Sequence, residues 1–277
     1  MGLRVTTNLP SLAAQKEMGT ITRDLQKSFA QLSSGSRITK AADDAAGLSM
    51  SEVLKSTIRG YRQAHRNAED GVSMVQVAEG GMSEISNMLV RMRELAVQSA
   101  SDTIADRERG FVDLEAQQLK NEIQRIAQTT RFGSIKLLDG SGDKYGFQID
   151  INNDDFKDRI SFDASKTNVQ LGALGIDGME LASKDGAHNA LEIIEDAQVK
   201  LNSNRANLGA MQNRLISTQE NLSTSIENFS AANSRIRDTD IAESSANLAR
   251  GQVLQQATVG VMAQANQSTA VALKLIA

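Results

Sequence analysis

Cysteine is absent from the 277 residues, so no disulfide can staple the fold and no thiolate can serve as nucleophile or soft metal ligand. Tryptophan is absent as well, aromatics make up 3%, and the single proline is Pro10. From Ser11 onward nothing breaks a helix on proline grounds. No run approaches the roughly 18 apolar residues that argue for a membrane span. Met1 to Pro10 lacks the apolar central region of a secretory signal. Taken alone, these absences predict a cytoplasmic chain without a membrane partner. The net charge of −4 supplies no basic excess to gather on one face, which removes nucleic acid from the partners.

Catalytic and ligand constellations fail in the same way. The two histidines, His65 and His188, are far apart in sequence, and without cysteine or an HExxH motif a zinc site has too few ligands. Asp150, Asn152 and Asp154 imitate the start of a calcium loop, but Asp155 stands where glycine is needed and Ser161 where the closing glutamate is needed. Gly140, Gly142 and Gly146 resemble a dinucleotide fingerprint with one residue too many, placed before a hairpin pattern rather than a helix. The residues therefore predict no enzyme, no cofactor and no metal. Arg59, Arg62 and Arg66 line up at helical spacing and read as a solvated face.

What is present is a seven-residue rhythm. Leu54, Tyr61, Ala68, Val75, Met82, Leu89 and Ala96 follow one another at that step with no charge among them. Ile58, His65, Val72, Ala78, Ile85 and Met92 form a second seam beside it. Held over six heptads, this is a coiled-coil-like period, and at about 1.5 Å per residue the helix would be about 65 Å long. Far downstream Ile194, Leu201, Leu208, Leu215, Leu222, Phe229 and Ile236 repeat the step, with Ala197, Met211 and Ala232 as a second seam. Two apolar stripes of equal length can bury each other if the chain folds back. The expected fold is mainly α: a long antiparallel coiled-coil-like helical bundle with a small β-hairpin, its N- and C-terminal halves paired.

The ends are weaker. Ser11–Leu32 carries Ala14, Met18, Ile21, Leu25, Ser28 and Leu32 at heptad spacing, a thin seam that buries too little to offset its ordering entropy without surface from other chains. LSSGSRI, with Gly35 as a helix stop, and ADDAAGL, with Asp43 or Asp44 as the next cap, form a spacer. After the first long helix, Thr103 and Asp106 make a capping-box-like start for a helix with Ile104, Val112, Leu119, Ile123 and Ile126. Alternation of Phe147, Ile149 and Ile151, then of Ile160 and Phe162, predicts a β-hairpin at about 145–165. Gly172, Gly175 and Gly178 mark the loop leading back, and Asp185 caps the returning helix. Asp240 with Glu243 caps a last helix whose weak face runs Leu254, Ala257, Val261, Ala265, Ala272 and Ile276.

At this point LSSGSRI with ADDAAGL, RNAEDGVSMVQVAEGGM, RELAVQSA, GAMQNRL and LQQATVGVMAQANQ together resemble bacterial flagellin over nearly the whole chain. The resemblance implies a structural subunit of the flagellar filament, with a hook–filament junction protein as the alternative. The form is short, lacking the variable outer domains, and the closing Ala270–Ala277 depart from the commoner family ending. Residues 1–42 and 238–277 would be the two halves of an inner-tube domain, and 43–184 and 185–237 those of an outer-tube domain. The implied assembly residues are Met18, Ile21, Leu25, Leu32, Leu254, Ala257, Val261, Ala265 and Ile276. The resemblance reverses the cytoplasmic expectation, because flagellins leave unfolded through the flagellar export channel. Its implied partners are other subunits, the export apparatus and its chaperone, the filament cap and the junction proteins. A host Toll-like receptor joins them through Arg91, Leu95 and Glu115.

Overall fold

A computed structural model describes the backbone of residues 7–276 and side chains up to residue 267. The chain divides into two compact units, residues 58–227 and residues 1–57 with 228–277.

The terminal unit is built from α1 (Leu9–Ser34) and α6 (Ile241–Ile276), together with the first turns of α2 (Ala45–Ala100) and the last turns of α5 (Lys184–Arg237). Pro10 sits in the first turn of α1, where its missing N–H costs nothing, and the Asn8 side chain accepts from Ser11 N at 3.1 Å. Gly35 ends the helix in the left-handed conformation, φ 67°. The two chain breaks meet: Ser36 bridges Asp238, Arg37 N donates to Arg237 O at 2.6 Å, and Thr239 N donates to Gly35 O at 3.0 Å. Asp240 caps α6 through Ala242 N and Glu243 N, as the sequence predicts. Asp44 caps α2 through Gly47 N at 2.8 Å.

The larger unit holds most of α2 and α5 side by side. Gly71 faces Leu215, Glu79 pairs Arg205 at 2.8 Å and Arg93 pairs Glu195 at 3.3 Å, so one helix counts up as the other counts down. The α2 seam from Ala68 to Ala96 is buried, as are Ile194, Leu201, Leu208, Leu215 and Leu222. Leu54, Tyr61 and Phe229, toward the seam ends, are half-buried. α3 (Asp106–Thr129) packs Ala116, Ile123 and Ala127 into the same core. The hairpin is present as β3 (Lys144–Gln148) against antiparallel β4 (Arg159–Asp163), with Phe147 opposite Ile160.

Several local expectations are corrected. Thr103 does not cap α3: it is tied to Ser101 in the preceding turn, and the cap position is Ala105, whose N–H meets the Glu108 carboxylate at 3.3 Å. Ile104 therefore precedes the helix. The returning helix is capped by Ser183, whose hydroxyl accepts from Gly186 N at 3.1 Å; Asp185 lies inside the first turn, where its charge favours the positive end of the helix dipole. Ile149 and Ile151 follow the end of β3. A two-residue pairing of β1 (Arg131–Phe132) with β2 (Ile135–Lys136) and the short α4 (Leu171–Leu174), closed by Gly175 at φ 86°, have no counterpart in the sequence reading.

Candidate assembly surface

The contact between α1 and α6 mixes small and mid-sized side chains. Ala14, Ile21 and Leu25 of α1 are buried, with Met18 and Leu32 half-buried, as their spacing predicts, and Ser11 is buried with them. On α6 the inward positions are Ser244, Leu248, Gly251, Gln255, Thr258, Met262 and Ala265. A methyl group at Gly251 would meet the Leu25 side chain at 2.8 Å, so this glycine is what lets the helices close on each other. Asn8 adds a hydrogen bond to the Ala265 carbonyl at 3.1 Å.

The weak face expected on α6 is thus rotated from the one that meets α1. Of its members only Ala265 is buried; Leu254, Ala257 and Val261 are exposed, while the side chains of Ala272 and Ile276 lie outside the described residues. The physical reason is composition. α6 mixes Ala, Gln, Val and Met around its whole circumference, so no stripe dominates, and the closest approach falls at Gly251. The larger apolar residues are left outward: Leu12 and Phe29 on α1 and Val253, Leu254, Val259 and Val261 on α6 are each at least 47% exposed.

A carboxylate hub ties the spacer to α1. Asp43 accepts from Thr39 N, the Thr39 hydroxyl at 2.9 Å and Lys40 N, with the Lys27 ammonium 3.4 Å away. The Thr39 hydroxyl, then the two backbone N–H groups, hold its pKa down at about 2 from the ordinary 3.8. The charged form is thus favoured in the folded state, so this contribution is whole above about pH 4 and is lost as pH falls toward 2. Asp43→Asn should flatten the acid limb of the melting temperature between pH 4 and pH 2. An acid limb as steep as in the parent chain would mean that the hub does not bind the spacer.

The residues implied for receptor recognition come together on α2 and α3. Arg91 pairs Glu115 at 2.8 Å and Glu94 at 2.9 Å on the surface. Leu95 is buried beneath them. Two cations that the sequence does not single out are buried. Arg109 clamps the end of α2, its Nε donating to Ser99 O at 2.9 Å and its Nη2 to Ser101 O at 2.9 Å. Lys120 donates to the carbonyls of Asp177 at 2.5 Å and Met179 at 3.2 Å. Among the described residues no acidic or histidine cluster is arranged to hold a metal, and no helix is long and apolar enough to cross a membrane.

Long paired helices and a thin terminal pair with exposed apolar residues are the architecture of a structural, self-associating class of protein. The comparisons give the family. The bacterial flagellin N-terminal helical region matches residues 5–143 and the C-terminal helical region residues 191–276, and the chain belongs to the bacterial flagellins. A flagellin of Halalkalibacterium halodurans is 39% identical over 98% of this chain and 99% of its own length. A flagellar filament core protein of Brachyspira hyodysenteriae is 39% identical with the same coverage. Against Flagellin A of Vibrio anguillarum, 31% identical, the alignment runs 378 positions to this chain's 277 residues, which fits a short form. The crystal structure of Bacillus cereus flagellin, 29% identical, superposes with a TM-score of 0.50 over 61% of this chain and 94% of that one.

Proposed function

We propose that this flagellin, a structural subunit of the extracellular flagellar filament, is held in the filament chiefly through the α1–α6 pair, with residues 1–42 and 238–277 forming the inner tube and 43–237 the outer tube. The observation that carries this reading is the exposure of Leu12, Phe29, Leu254 and Val261 on a pair whose own seam buries only Ser11, Ala14, Ile21, Leu25, Ser244 and Ala265 fully. Exposed apolar stripes of this extent mark an interaction surface, and a heterologous contact that does not close on itself builds an open helical polymer. The hook–filament junction alternative is not favoured, because a flagellin and a filament core protein each match this chain over 98% of its length.

Purified chain, seeded or salted out, should form filaments visible by electron microscopy. Limited proteolysis of the monomer should remove α1 and α6 and spare residues 58–227, because so thin a seam contributes little opening free energy; the filament should protect both helices. Equal cleavage in the two states would count against assembly through this pair.

The chain is further proposed to leave the cell unfolded through the export channel, delivered by an export chaperone and placed beneath the filament cap beyond the junction proteins. The absence of cysteine and the small terminal seam suit that route. Arg91 and Glu115 are proposed as the surface a Toll-like receptor meets, with Leu95 supporting them from below. Arg91→Ala with Glu115→Ala should abolish receptor activation by the monomer and leave its melting point almost unchanged, since exposed ion pairs contribute little. Undiminished activation would leave the pair a packing role only.

A further inference from the structure

Two charged faces of the larger unit have no partner within it. Arg59, Arg62 and Arg66 are exposed on successive turns of α2 and, among the described residues, none makes an ion pair; Arg66 meets only Gln63, and Asp70 one turn on does not pair with it. The opposite side of this stretch is occupied: Ala64 and Ala68 are buried, Asn67 donates to Gln148 O, and Gly60 and Gly71 face Ile151 and Phe147 of the hairpin segment. On α5, Glu220 and Glu227 stand two turns apart, exposed and unpaired, while Leu215 and Leu222 turn into the core. The Gly71 to Leu215 contact and the antiparallel count put these carboxylates at the same level as the arginines. Each face points away from its own helix partner, so the two cannot meet within one chain.

The geometry points to a contact between copies of this chain in which the arginine face at 59, 62 and 66 of one subunit meets the carboxylate face at 220 and 227 of the next. Opposite charges on opposite sides of one helix pair make a heterologous interface, and repetition of such an interface gives a ring or an open helical array rather than a closed dimer. Where α2 and α5 carry charges that face each other they are paired, as Glu79 with Arg205 and Arg93 with Glu195; these five residues instead stand as same-sign rows at one level on the outer faces. Their role is to speed and register lateral encounter. The inference rests on the filament reading above and adds a second, electrostatic contact to the apolar terminal one.

The test is seeded elongation of the full chain, followed by sedimentation and microscopy. Arg59→Glu with Arg62→Glu and Arg66→Glu, and separately Glu220→Lys with Glu227→Lys, should each fold with the parent's circular dichroism and elongate at least about tenfold more slowly at low salt. An equimolar mixture of the two variants should elongate close to the parent rate, since each then offers the other a complementary face, and at about 0.5 M salt the difference between parent and variants should shrink. The neutral set Arg59→Gln, Arg62→Gln and Arg66→Gln should fall between. Variants that elongate as fast as the parent, or a mixture as slow as its components, would overturn the contact. Normal elongation by the arginine variant with loss of retention on immobilised heparin would assign the stripe to an anionic polymer and equally overturn it. Failure of the parent chain itself to elongate would strike instead at the filament reading.

Discussion

Leu208→Asp should collapse the larger unit. Leu208 is 1% exposed in the α5 seam, and the one cation lining the groove beside it, Lys166, is exposed and already paired with Asp163 at 3.6 Å. Burying an unpaired charge costs several kcal/mol even after local relaxation, against a total stability of about 5–15 kcal/mol. The groove beside it, lined by Asn204, Asn207 and Met211, lets the new carboxylate find some polar company, which sets the expected loss at about 3–5 kcal/mol rather than more. For a chain of this size that lowers the melting temperature on the order of 10 °C. Thermal melting followed at 222 nm checks it, and Leu208→Met, which keeps the volume, should change little. A melting temperature within a degree or two of the parent would mean that the α2–α5 seam is not the unit's core.

That seam was legible in the sequence because its members are large and its period is strict. Val75, Met82, Leu89, Leu201 and Leu215 are apolar at every seventh step, and no other face of either helix competes with them. The β3–β4 pairing was legible for a similar reason, since a change of period from seven to two is a signal that few residues suffice to carry. The features that escaped are those whose cause is tertiary. Lys120 has the composition of a solvated residue, yet the turn at Asp177 and Met179 brings two carbonyls to its ammonium, and nothing near Lys120 in the chain announces that turn. Arg109 is the same case, recruited by the open carbonyls at the end of α2. The cap at Ser183 was displaced by two residues because Asp185 is an equally good cap by type, and only the position of the first turn separates them. On the terminal pair α1 could be read and α6 could not: Ile21 and Leu25 stand out from polar neighbours, whereas α6 is apolar on several sides at once. Its true inward face is marked by Gly251, a residue that signals close approach only after its partner Leu25 is known.

Val261→Asp should have the opposite profile to Leu208→Asp. Val261 is 58% exposed on α6, outside the row of residues that meets α1. Val and Asp differ little in helix propensity, so the substitution asks almost nothing of the monomer, and its circular dichroism and melting temperature should stay within error of the parent. In the filament the same position is proposed to be covered by another copy, and a carboxylate there would be desolvated without a partner in every subunit of the polymer. A cost of even 2–3 kcal/mol per contact corresponds to roughly a 30- to 150-fold loss in the equilibrium constant for adding each subunit, enough to take the critical concentration out of the range where the parent assembles. Sedimentation of seeded protein should therefore leave Val261→Asp in the supernatant. Val261→Ile, which keeps the surface apolar, should pellet like the parent and shows that the charge rather than the change of shape is responsible. If Val261→Asp pellets normally as filaments, the outward face of α6 is not buried between subunits, and the assembly surface has to be sought on the larger unit alone.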